Sequence, residues 1–75
     1  MNKQRLKQIE NVHTQLFALK RQLDRIMSDE EYAFDNMPEG LQQSANGERS
    51  EEAMNNLDDA ISHIDEAIDS LNEIM

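Results

Sequence analysis

Ile9, Val12, Leu16, Leu19, Leu23 and Ile26 recur at steps of three and four residues, and Met54, Leu57, Ile61, Ile64, Ile68, Leu71 and Met75 repeat that pattern later in the chain. Alternating steps of this kind line up along one stripe of an α-helix. The chain therefore reads as all-α: two long amphipathic helices folded into an antiparallel hairpin. Leu6, His13, Met27 and Phe34 lie beside the first stripe and widen it, which suits a bundle helix better than a two-stranded coiled coil. Lys20 interrupts that second row, where its alkyl stem covers apolar surface while the ammonium reaches water.

The pattern predicts a first helix over about residues 2–35, a connection over 36–49 and a second helix over about 50–74, all within one domain of residues 1–75. Met37-Pro38 ends the first helix, because proline disfavours the α conformation in the residue before it and has no backbone N–H to donate. A short turn from Pro38 through Leu41 to Ser44 follows, and Asn46-Gly47 is a second turn signal. Ser50 is the expected N-cap of the second helix, with Glu51 and Glu52 against the positive end of its dipole. Within that helix, Met54–Ala60, Ile61–Ala67 and Ile68–Ile74 form a seven-residue repeat. Ala53, Ala60 and Ala67 make a row of small residues that lets a neighbouring helix approach closely.

A chain of 75 residues with 37% hydrophobic content and no cysteine has a small core and no disulfide to staple it. Pairing of two hairpins into a four-helix bundle is the remaining device, so a homodimer is expected. No apolar run follows Lys3, Arg5 and Lys7, and the longest apolar stretch, Leu16 to Leu19, is far too short to span a membrane. The expected location is the cytoplasm, which also suits a chain without cysteine.

The net charge of −9 is unevenly distributed. Residues 1–27 hold six Lys or Arg against Glu10 and Asp24, a balance of +4, whereas residues 28–75 hold fourteen Asp or Glu against Arg49, a balance of −13. Lys3, Arg5 and Lys7 oppose the dipole of the first helix, and Asp69 and Glu73 oppose that of the second. An antiparallel hairpin brings those two ends together. Direct nucleic-acid binding is disfavoured, since phosphate contacts need Lys and Arg; a basic protein partner suits the acidic half better.

Nothing in the sequence supplies catalytic, metal or cofactor chemistry. His13 and His63 fall on different helices without zinc-type spacing, there is no nucleophile elbow or glycine-rich phosphate loop, and neither di-iron nor EF-hand patterns occur. An enzyme is not expected. What remains is surface. Asp58, Asp59, Asp65, Glu66, Asp69 and Glu73 line the outer side of the second helix, preceded by Glu48, Glu51 and Glu52. Asp65, Asp69 and Glu73 step by four residues, roughly 6 Å along the axis, close to the phosphate spacing of a nucleic-acid strand. Such a face has two readings, a solvated surface that keeps a bundle dispersed or a phosphate mimic that occupies a nucleic-acid-binding protein. The tip also has two: Met37 and Leu41 plug the end of the bundle, or Asp35, Met37, Glu39 and Leu41 form a docking surface.

The segment Glu30-Glu31-Tyr32-Ala33-Phe34-Asp35-Asn36-Met37-Pro38-Glu39-Gly40-Leu41-Gln42 belongs to a stretch running to Leu71. With Gly47-Glu48, Glu51-Glu52-Ala53 and the acidic repeat at Leu57-Asp58-Asp59-Ala60-Ile61, that stretch resembles small acidic proteins of phages and mobile elements of Gram-positive bacteria. The resemblance implies an inhibitor of host nucleic-acid machinery, of the anti-CRISPR kind, acting in the bacterial cytoplasm. A Cas9-type effector, with its positively charged channel, is the partner it suggests. The alternative is an assembly or oligomerisation helper without inhibitory activity. The basic start of the first helix lies outside the resemblance.

Overall fold

The computed structural model describes residues 1–75 and contains three helices: α1 (Lys3–Asp35), α2 (Glu39–Gln42) and α3 (Ala45–Asn72). α1 and α3 run antiparallel as a hairpin, and α2 closes the tip. The molecule measures 58 × 14 × 13 Å, a rod two helices wide.

Local chemistry sets each boundary. Asn2 is extended and its side chain accepts the Arg5 N–H at 2.8 Å, which starts α1. At the other end, Asn36 donates from both its backbone and its side chain to the Tyr32 carbonyl, at 3.1 and 2.7 Å. Met37-Pro38 then breaks the helix, and Pro38 opens the single turn of α2. Gln42 Nε2 donates to the Phe34 carbonyl at 2.9 Å, tying α2 to the end of α1.

The second long helix begins five residues earlier than the sequence indicates. Ser44, not Ser50, is the N-cap: its backbone is extended and its hydroxyl accepts the Gly47 N–H. Asn46-Gly47 is helical instead of forming a turn, and the connection shrinks to residues 36–44. The cause is tertiary contact. Gly47 is buried, and a Cβ there would collide with the backbone carbonyl of Gln42. Only glycine lets α2 lie so close to the first turn of α3.

The seam between the long helices is rotated from the stripe that apolarity alone selects. The half-buried residues of α1 are Leu6, Ile9, His13, Leu16, Lys20, Leu23, Met27, Glu30 and Phe34, an unbroken sequence of three- and four-residue steps. Ile9, Leu16 and Leu23 belong to both stripes. Val12, Leu19 and Ile26 are left outside, 49%, 49% and 52% exposed. Of the polar side chains that take their places in the seam, Lys20 and Glu30 find partners there. Lys20 Nζ lies 2.7 Å from Asp65 Oδ1, and Ser50, itself buried, donates its hydroxyl to Glu30 Oε1.

Across the seam stand Met54, Leu57, Ile61, Ile64, Ile68 and Leu71 of α3. Of these only Ile68, 3% exposed, is fully buried. Two packed helices leave one side of most seam positions uncovered, so the other stripe residues remain half open to solvent.

Candidate functional site

The helix periods sort the surface of α3 into two flanks. Asp58, Asp59, Glu66, Asp69 and Glu73 are all exposed on the side away from the alanine row, as are Glu48 and Glu51. Glu52 is exposed at the edge of that sector. They project from a continuous helix of 28 residues, which holds their spacing fixed.

Asp65 stands apart from the others. It is half-buried and paired with Lys20, whose ammonium is pushed above the ordinary lysine value. The hydrogen bond to Asp65 is the main cause. Desolvation opposes it, and the charges of Asp65, Asp24 and Asp69 add to it. The evenly stepped row of Asp65, Asp69 and Glu73 therefore begins with a carboxylate already neutralised within the hairpin.

At the tip, Met37 is half-buried and lines a groove of about 370 Å³ with Ile26, Glu30, Ser50, Ala53 and Leu57. Leu41 is 54% exposed, and Asp35 and Glu39 are exposed as well. Met37 thus fills the inner end of the bundle, whereas Leu41 stays outside.

His13 packs edge-on against Phe17 with ring centroids 5.0 Å apart, and its Nε2 is buried without a hydrogen-bond partner. His63 is exposed on the other long helix. No three His, Asp or Glu side chains converge where they could hold a metal ion. No helix is long and apolar enough to cross a membrane.

A second surface went unrecognised in the sequence. Val12, Leu19 and Ile26 repeat every seven residues along the exposed edge of α1. Val12 and Leu71 line one groove beside the seam, and Ile26, Ala53 and Leu57 line another. Both grooves open on the same side of the hairpin, opposite the acidic flank. The sequence places these residues on one stripe that packs either against the other helix or against another copy, and apolarity alone does not separate the two faces.

Comparison with protein-family models, curated proteins and solved structures gives no match. The class of molecule is defined by the geometry alone: an open helical hairpin with one acidic and one apolar flank.

Proposed function

We propose that this chain is a small acidic protein-binding module. Its most concrete form is an inhibitor of the anti-CRISPR type, encoded by a phage or mobile element, that blocks a basic nucleic-acid-binding protein by presenting a DNA-like surface. The observation that carries this reading is the exposed set Asp58, Asp59, Glu66, Asp69 and Glu73 on one flank of a rigid helix, with Glu48, Glu51 and Glu52 extending it. Carboxylates held at fixed spacing complement a channel built to take phosphates, and their attraction is long-ranged and non-covalent. The resemblance of Glu30–Leu71 to acidic mobile-element proteins supports the same partner class. Asp35, Glu39 and Leu41 at the tip offer a second, smaller contact with it.

The test uses immobilised protein and a purified Cas9-type effector. Binding is expected at low salt, with release as ionic strength rises and displacement by DNA. No binding to this effector or to another basic nucleic-acid-binding protein at low salt overturns the reading.

The exposed Val12, Leu19 and Ile26 favour a second role: assembly through apolar contact, with two hairpins pairing into a four-helix bundle. In the alternative reading that assembly is the whole function. Salt response separates the two, since apolar association persists under screening.

A further inference from the structure

The hairpin exposes more surface than a chain of its mass should. Its accessible area is 5839 Å², against about 4,700 Å² for a globular monomer of this mass. The surplus of roughly 1,100 Å² exceeds the approximately 800 Å² that each partner contributes to an interface of standard size. Its radius of gyration, 17.1 Å, similarly exceeds the approximately 11 Å of a compact domain of this length. Only one apolar side chain, Ile68, is fully buried. A second copy on the open flank would supply what is missing.

The side chains on that flank have complementary sizes. α1 presents the large residues Val12, Leu19 and Ile26, and α3 presents the small row Ala53, Ala60 and Ala67, both repeating every seven residues. The hairpin sets their relative heights. Lys20 meets Asp65, Glu30 meets Ser50, and Ile26 shares a groove with Ala53. Val12 therefore stands near the level of Ala67, Leu19 near Ala60, and Ile26 near Ala53.

The charges are also placed for burial. In a chain with 31% charged residues, the middle of the row beside the large residues reads Gln8, Gln15 and Gln22 and the row beside the alanines reads Asn56, His63 and Ser70, with charge confined to the ends of the strip at Arg5, Asp29 and Arg49. Depletion of charge around an apolar strip is the compositional mark of an interface core. The acidic residues of α3 lie away from the alanine row, so pairing leaves them exposed.

From these observations we infer a specific homodimer, which deepens the assembly role and rests on it. The two-fold axis runs parallel to the helices. α1 of each hairpin packs antiparallel against α3 of its partner, with Val12, Leu19 and Ile26 seated on the partner's alanine row. The alternative two-fold axis, perpendicular to the helices, would stack large residues on large and alanine on alanine, which leaves the two helix pairs unevenly spaced. The dimer displays two acidic flanks on opposite sides of one four-helix bundle.

The absence of cysteine makes cross-linking a clean test. Sedimentation equilibrium of the unmodified chain is expected to give twice 8.7 kDa. Leu19→Cys and Ala60→Cys chains, checked for helicity, are then mixed in equal amounts, annealed and oxidised. A disulfide joining position 19 of one chain to position 60 of the other is expected, with little dimer from Leu19→Cys alone. A mass of 8.7 kDa up to high micromolar concentration overturns the pairing itself. A dimeric mass with linkage of position 19 to position 19, or with no cross-link, overturns this arrangement and leaves the pairing standing. Neither experiment involves a basic partner, so the outcome is independent of the acidic-surface reading.

Discussion

Lys20 and Asp65 meet at 2.7 Å across the middle of the hairpin seam, with Asp65 half-exposed to water. The pair occupies a position where the heptad pattern favours an apolar side chain, and it marks which residues of α1 and α3 stand level. Because the bond to Asp65 favours the charged ammonium, the folded chain holds the Lys20 proton more tightly than the unfolded chain does. The associated stability is fully present below the ordinary lysine value of 10.5 and is lost as pH rises through the higher folded-state value. Urea titrations at pH 9 and pH 11.5 should show a larger loss for the natural chain than for Asp65→Asn. Equal losses would show that the pair has no part in the alkaline transition.

Gly47 and Gly40 should respond to alanine in opposite ways. At Gly47 the added methyl runs into the Gln42 backbone, so Gly47→Ala should destabilise by about 1–3 kcal/mol despite alanine's better helix propensity. At Gly40 the space is open and the residue is helical, so Gly40→Ala should stabilise by about 0.4–1 kcal/mol. Thermal and urea unfolding of the two variants measure both signs.

The two candidate caps separate by aspartate substitution. Ser44→Asp keeps a side-chain acceptor for the Gly47 N–H but loses the hydroxyl's bond to the Leu41 carbonyl, and should cost no more than about 1 kcal/mol. Ser50→Asp places a carboxylate against Glu30 in a buried position and should cost about 2 kcal/mol or more. If Ser50 were the cap, the order would reverse in denaturant melts.

Ile68 is the one apolar side chain enclosed on all sides, so Ile68→Ala should cost about 2–5 kcal/mol. Tyr32→Ala, at a position 74% exposed, should stay within about 0.5 kcal/mol. Circular dichroism melts of both variants at one protein concentration make the comparison.

The two long helices and their antiparallel return were legible in the sequence. Steps of three and four residues, sustained from Met54 to Met75, match the period of an α-helix and not that of a strand. The start of α3 was not legible. Asn46-Gly47 has the local chemistry of a turn, and only its contact with α2 makes glycine at position 47 a packing requirement within a helix. The facing of α1 was also hidden. Periodicity defines a stripe about two rows wide, and apolarity placed Val12, Leu19 and Ile26 inward. The seam instead takes His13, Lys20 and Glu30, because Asp65 and Ser50 answer two of them from α3. The acidic flank was read correctly as exposed except at Asp65, whose pairing depends on how the helices align.

The acidic flank is the centre of the functional proposal, and charge reversal tests it directly. Asp59→Lys/Glu66→Lys/Glu73→Lys changes three exposed positions at seven-residue steps on the outer side of α3, none of which acts on Lys20, and should leave helicity and oligomeric state unchanged. Binding isotherms with a Cas9-type effector should show loss of affinity by at least about tenfold at low salt, and the residual binding should lose most of its salt dependence. Undiminished affinity in the folded triple variant, with the same salt slope as the natural chain, would contradict the proposal.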